Sequence, residues 1–81
     1  MMASKRVRLT FEGNAVTEPL IYNLGHEFRV VTNIRMADVE KDFGWVILEI
    51  DGEPDEIERS LRWVESKGVR VDPVVGDVVE G

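Results

Sequence analysis

Apolar and polar side chains alternate near the start of the chain, which is the pattern of a strand with one buried face. Between Lys5 and Glu12 the apolar positions are Val7, Leu9 and Phe11, and the residues between them are charged or polar. Because successive side chains of a strand point to opposite faces, these three residues are predicted to face a core. We therefore expect a half-buried strand over residues 5–12.

A longer apolar region in the middle of the chain predicts a β-hairpin over residues 29–51. Branched and large side chains fill residues 30–34 and again residues 45–50, with the turn-like sequence Lys41–Gly44 between them. The second run gives three core-facing residues, Val46, Leu48 and Ile50. Trp45 and Ile47 are then expected on the opposite, uncovered face of the sheet, where they would suit contact with a second copy of the chain.

The first strand of this hairpin contains a polar residue and a change of phase. Asn33 is unusual in a strand because its amide competes for backbone hydrogen bonds. Ile34 and Met36 are apolar on one parity, whereas Ala37 and Val39 are apolar on the other. Either both faces of the strand are covered or a β-bulge lies near residues 36–38. A bulge would free backbone groups beside Asn33 for contact with a small molecule.

Two segments show helical periodicity. Thr17 and Pro19 form a helix-start signal, and a helix over residues 18–28 would bury one stripe, made of Leu20, Ile21, Leu24 and Phe28. Pro54 and the acidic residues around it start a second helix, which Gly68 ends. The predicted inner stripe of this helix is Ile57, Leu61 and Val64, with Trp63 at the flank.

The alternating residues 69–75 predict a fourth strand, and Pro73 requires either an edge position or a place near the strand's end. The element order strand, helix, strand, strand, helix, strand is typical of the ferredoxin-like α+β fold. In that fold two helices cover one face of a four-stranded antiparallel sheet. We expect one domain over residues 6–75, a disordered start over residues 1–5 and a flexible tail over residues 76–81.

Composition argues against several classes of protein. The formal net charge is −6 and there is no cysteine, so we expect neither nucleic-acid binding nor a disulfide or thiolate metal site. RNA-binding domains share the ferredoxin-like fold, but residues 44–50 carry one aromatic and no basic residue. No segment has the roughly 20 apolar residues of a membrane span, and the start lacks the apolar region of a signal peptide. The expected location is the cytoplasm, without membrane association.

Residues that could support catalysis or metal binding are few. His26 is the one histidine, and Glu27 is only its neighbour in sequence, so an acid–base role has no positioned partner. Asp38, Glu40 and Asp42 could gather carboxylates for a hard cation, but an exposed strand end leading into a turn explains them equally well. There is no glycine-rich phosphate loop. We expect no catalytic residue, no metal and no cofactor.

Several short motifs resemble the NIL domain family, which is named for an Asn-Ile-Leu motif. In chain order they are Arg8–Phe11, Pro19–Ile21, Asn33–Ile34, Ala37, Val39–Glu40, Phe43–Gly44, Gly52 and Gly68–Val71. Together they extend the resemblance over about residues 6–75. Arg35 stands where the motif has leucine.

The resemblance implies an ACT-like variant of the fold and a regulatory role. Its best-known setting is the C-terminal domain of the ATPase subunit of methionine-import ABC transporters, where paired domains bind methionine. Carried over by position, Asn33 would bind the polar groups of an amino acid, and the strand lining the site would contribute Ile34, Met36, Ala37 and Val39. The implied protein is a non-enzymatic homodimer that senses an amino acid such as methionine at the dimer interface.

A second interpretation stays open. A homodimeric protein-interaction domain that binds no ligand would use the same hairpin, with Asn33 satisfying only the bulged backbone. In both interpretations Trp45 and Ile47 are candidates for the dimer interface.

Overall fold

The computed structural model describes residues 2–12, 19–40 and 42–74. Its elements are β1 (Ala3–Glu12), α1 (Leu20–Glu27), β2 (Val30–Val39), β3 (Phe43–Gly52), α2 (Pro54–Ser66) and β4 (Arg70–Pro73). The four strands form one sheet in the order β2-β3-β1-β4, and all neighbouring strands are antiparallel. This is the ferredoxin-like α+β fold that the sequence predicts.

The core lies between one face of the sheet and the two helices. The central strands bury alternate residues, and those with no exposed surface include Val7, Leu9, Leu48 and Ile50. The helices add Leu24 from α1 and Val64 from α2, both fully buried. Full burial of side chains of this size contributes about 1.5–3 kcal/mol each, so the predicted inner stripes hold the helices on the sheet.

The ends of the helices follow their local sequence. Pro19 precedes the first residue of α1, and Pro54 occupies the first turn of α2, where its missing N–H is not needed. Gly68 follows α2 with a φ of 86°, a conformation that glycine adopts without strain. Thr17 and Glu18, which contribute to the predicted start of α1, lie outside the described residues.

The strand boundaries differ from the prediction at the start of the chain. β1 begins at Ala3 rather than after a disordered segment over residues 1–5, because Ala3 and Ser4 pair with Gly52 and Asp51 at the end of β3. At the other edge, Pro73 is the last residue of β4, as expected for a residue without a backbone donor. The predicted tail over residues 76–81 lies outside the described part of the chain. No helix within the described ranges is long and apolar enough to cross a membrane.

Gly52 lies against the backbone that leads into β2. A Cβ atom at this position would be 2.9 Å from the carbonyl oxygen of Arg29 and 3.1 Å from Cγ1 of Val30. These distances are too short for a methyl group. The end of β3 can therefore pair with the start of β2 only because residue 52 is glycine.

We expect Gly52→Ala to lower the free energy of unfolding by about 1–3 kcal/mol, because the added methyl group overpacks against backbone. Gly25→Ala is the matched control, since its Cβ would have no contact closer than 3.9 Å, and higher helix propensity should raise stability by roughly 0.5–1 kcal/mol. Urea unfolding followed by tryptophan fluorescence measures both. Equal effects of the two substitutions would contradict the close approach at Gly52.

Glu56 ties α2 to the start of β2. Its carboxylate accepts a 3.0 Å hydrogen bond from the backbone N–H of Arg29 and pairs with the guanidinium of Arg59. The Arg29 N–H and, secondarily, the Arg59 charge lower the pKa of Glu56, against the opposing effect of burial. The folded state therefore favours the ionised carboxylate.

A lowered pKa stabilises the folded protein. This stabilisation is complete above the pKa of the unfolded state, and it is lost as the pH falls through the pKa of the folded state. We expect Glu56→Gln to lower the melting temperature at pH 7, and the difference from wild type to close as the pH falls below 4.5, the ordinary pKa of the group. Glu58→Gln is the control, because its contacts to Lys5 and Arg62 are long, at 3.8 and 3.9 Å, and exposed. A difference in melting temperature between Glu56→Gln and wild type that stays constant across this pH range would contradict the assigned contact.

Candidate functional site

The edge strand β2 carries the largest group of exposed apolar side chains in the described chain. Val31, Ile34, Met36 and Val39 are each between 57% and 63% exposed. Because β2 is at the end of the strand order, its outer backbone groups face no neighbouring strand among the described residues. A long, apolar, unpaired edge is a natural surface for pairing with another chain or a ligand.

A β-bulge interrupts β2. Ile34 pairs with Leu48 and Met36 pairs with Ile47, so Arg35 is an extra residue between two consecutive pairs. The predicted bulge is therefore present, slightly before residues 36–38. Its position means that Ile34 and Met36 do not share a face, because the extra residue reverses the alternation between them.

The five predicted ligand residues are all exposed but lie on two faces of the sheet. Those on the helix-covered side, opposite Leu48, Val46 and Gly44 in β3, are Ile34, Ala37 and Val39. Asn33 and Met36 lie on the open side, opposite Glu49 and Ile47. Asn33 and Val39 are also about 17 Å apart along the strand, at roughly 3.3 Å per paired residue. A single copy of the chain therefore does not bring them together around one small ligand.

Trp45 and Ile47 lie on the open face, as predicted, but they are half-buried rather than fully exposed. The guanidinium carbon of Arg8 is 5.1 Å from the centre of the Trp45 ring, which places the cation over the ring face. Met36 is beside Ile47 in the register. The apolar surface therefore continues from the β2 edge onto the open face.

Glu49 is at the centre of a charged cluster on the open face. Its Oε2 accepts a hydrogen bond of 3.1 Å from the hydroxyl of Ser4. Its Oε1 is 3.5 Å from Nη1 of Arg35 and 4.0 Å from Nη2 of Arg6. The bulge residue is thus linked across β3 to β1, beside Asn33. No sequence pattern indicates this cluster, because its four members come from three strands.

An apolar pocket of about 260 Å³ opens between the start of α1 and the far end of the hairpin. Its lining residues are Phe11, Pro19, Leu20, Ile21, Tyr22, Val39, Gly44 and Val46. Of the predicted ligand residues only Val39 borders it. The sequence did not predict this pocket. The one indication of it was the segment Pro19–Ile21, which matches a motif of the NIL domain family.

The candidate acid–base and metal residues have ordinary surroundings. His26 is exposed on α1 and stacks on Tyr22, with 5.5 Å between ring centroids. Asp38, Glu40 and Asp42 are exposed around the hairpin turn. Across residues 2–12, 19–40 and 42–74 no three His, Asp or Glu side chains are grouped to hold a metal ion.

The fold and these surfaces define a ferredoxin-like α+β domain whose distinctive features lie along one bulged edge strand. The family model of the NIL domain matches residues 5–73 of this sequence. The chain belongs to the NIL domain family.

Curated relatives are methionine import ATP-binding proteins named MetN. The protein from Halalkalibacterium halodurans is 31% identical over 74 residues, which cover 86% of this chain and 22% of the relative. The protein from Chromohalobacter salexigens is 37% identical over 76 residues, which cover 89% of this chain and 22% of the relative. The chain therefore spans about a fifth of the length of these relatives.

A solved structure shows the same fold. The C-terminal domain of an ABC transporter ATP-binding protein from Enterococcus faecalis superposes with a TM-score of 0.80 at 22% identity. The likeness covers 91% of this chain and 86% of that domain.

Proposed function

We propose that this domain is a non-catalytic regulatory module that binds an amino acid such as methionine between two copies of itself. The observation that carries the proposal is the separation of the site residues along β2. Asn33 lies near one end of the exposed edge, and the apolar pocket lies at the other end beside Val39. Among the described residues, the Asn33 amide and the apolar recess lie at different ends of this edge, and small-molecule sites combine two such features.

An antiparallel arrangement of two β2 edges supplies both. When two identical strands meet about a two-fold axis, the start of one lies beside the end of the other. With the axis near the bulge, Asn33 of one copy comes next to Val39 and the pocket of its partner. The symmetric dimer then contains two equivalent sites.

A ligand in the seam between two edges is reached from both faces of the sheet. The Asn33 amide approaches from the open face, and the pocket that includes Val39 is on the helix-covered face. The bulge at Arg35 disturbs the regular pairing of the β2 backbone, and the main-chain atoms of the ligand can hydrogen-bond to backbone groups freed there. In this arrangement one ligand can contact predicted residues on both faces of the sheet.

The pocket favours an apolar side chain. Among the described residues its lining contains no charged side chain, so an unpaired charge within it would lose hydration without a partner. The relatives named methionine import ATP-binding proteins support methionine as the first amino acid to test.

Because the ligand binds only the paired form, it would stabilise the dimer, and this coupling is the proposed regulatory output. We place the domain in the cytoplasm, because the relatives are named ATP-binding proteins and would bind ATP there.

The second candidate is an interaction domain that pairs without any ligand. The row of apolar side chains on β2 favours it, because such a surface can drive association by itself. In that case the pocket is a packing defect, and Asn33 is a structural residue.

Asn33→Ala separates the two candidates. We expect the variant to remain dimeric and to lose methionine affinity by about tenfold or more, because a lost hydrogen bond leaves polar ligand atoms unpaired. Calorimetric titration measures the affinity, and sedimentation measures the mass. Thr10→Ala is the matched control, because Thr10 is a polar residue on the same open face, opposite Trp45, but on the central strand β1 away from the β2 edge. Dimers that release no heat with any amino acid would establish the ligand-free alternative.

The interface is tested by charge substitution. We expect Ile34→Lys to weaken the dimer more than Ile47→Lys, since Ile34 is exposed on the edge strand whereas Ile47 and Trp45 flank it on the open face. Two lysines facing each other across a two-fold axis would lower the association constant at least about tenfold. Sedimentation at several concentrations gives the constants. The reverse ranking would show that the copies meet through their open faces.

A further inference from the structure

We propose that the open face of the sheet binds the open face of a second copy, in a contact separate from the β2 edge. Within the described chain both helices lie on the other side of the sheet. The open face carries four neighbouring apolar side chains, which are Met36, Phe43, Trp45 and Ile47. Phe43 and Met36 are 44% and 60% exposed. Neighbouring apolar side chains on an uncovered face mark a contact surface, and the charges around them identify its occupant.

Charge divides the open face into two halves. The acids of the half formed by β2 and β3 are Asp38, Glu49 and Asp51. The bases of the half formed by β1 and β4 are Arg6, Arg8 and Arg70. The charged residues that break this pattern among the described positions are Arg35, Glu12 and Asp72. Arg35 approaches Glu49 and Asp72 pairs with Arg70 within the chain, so the two halves keep net charges of opposite sign.

A two-fold axis parallel to the strands makes this face complementary to itself. With the axis midway between β3 and β1, rotation puts β3 of one copy over β1 of the other, and β2 over β4. Positions along the strands do not change. An axis across the strands would instead place each strand over its own copy and bring like charges together. The charge pattern therefore selects the axis along the strands and a second copy as the partner.

The rows of the sheet then bring opposite charges together across the contact. One row across the four strands consists of Asp38, Trp45, Thr10 and Arg70. Its ends exchange on rotation, so Asp38 of each copy faces Arg70 of the other. Glu49 and Arg6 share a row on the central strands and face each other in the same way. Aligned sheets cross at about 30°, which displaces the outer strands by about 4 Å, within reach of an arginine side chain.

The size of the face suits a weak and reversible contact. Three strands have 10 residues each and β4 has 4. At about 3.3 Å per residue and about 4.8 Å between strands, the face covers about 500 Å². Two copies together then bury about 1,000 Å², which is the lower limit for a specific interface. We therefore expect this association at high protein concentration.

The test uses two charge reversals that meet only between copies. Asp38 and Arg70 lie at opposite ends of the strand order, about 14 Å apart within one chain. In Asp38→Arg and in Arg70→Asp, like charges face each other across the proposed contact. When the two variants are mixed, each of these positions joins an arginine to an aspartate. All proteins carry Ile34→Lys, which disfavours pairing through the β2 edge, and sedimentation over a concentration series measures association.

Each single reversal should weaken self-association about tenfold or more, because like charges then oppose each other, and the equimolar mixture should recover most of this loss. Arg62→Asp is the matched control. Arg62 is an exposed arginine on α2, on the other side of the sheet, and its contact with Glu58 is long, at 3.9 Å. Its reversal should neither weaken association nor rescue Asp38→Arg. Urea midpoints establish that every variant is folded.

Two results would overturn the contact. An Ile34→Lys protein that stays monomeric at every concentration leaves the open face to a different partner. A mixture of Asp38→Arg and Arg70→Asp that associates no better than its components shows that these charges do not meet. Both results leave the proposed amino-acid site in place, because that site uses the β2 edge and the pocket, and calorimetry tests it separately.

Discussion

The antiparallel pairing of β1 with β3 is the interaction on which the rest of the molecule depends. Ten consecutive residues of each strand are in register, from Ala3 opposite Gly52 to Glu12 opposite Phe43. Because alternate residues from Val7 to Phe11 and from Val46 to Ile50 are apolar, correct register places all of them on the face that the helices cover. A shift of one residue would expose that face, so the hydrophobic pattern fixes the register. The outer strands add to this central pair, with β4 as a short edge of 4 residues and β2 as a long edge of 10 residues.

The fold could be predicted from the sequence because its information is local and periodic. The alternation in β1 and β3, the stripe of Ile57, Leu61 and Val64, and glycine after α2 each specify one element, and short connections leave little choice of topology. The start of β1 was harder to predict. Residues 3–5 have no strong strand pattern of their own and are ordered by their partners at the end of β3, a contact that depends on residues about 50 positions away.

The candidate site was predictable only in part. The phase change in β2 indicated a bulge. Asn33 is a candidate as a polar residue within a strand and by the family resemblance, but neither feature indicated which face each side chain would occupy. That assignment depends on the position of the extra residue, since moving a bulge by one position moves every later side chain to the other face. The Glu49 cluster and the apolar pocket combine residues from three or more elements. Such contacts exist only after the strands have paired.

The arrangement of β2 also determines what kind of regulation the domain can perform. If the polar anchor and the apolar recess belonged to one copy, ligand binding would leave the association of copies unchanged. Because they lie at opposite ends of one edge, the proposed site is complete only in the pair, and ligand affinity and pairing must strengthen each other by the same free energy. In this role the domain can report an amino-acid concentration to any protein to which its pairing is linked.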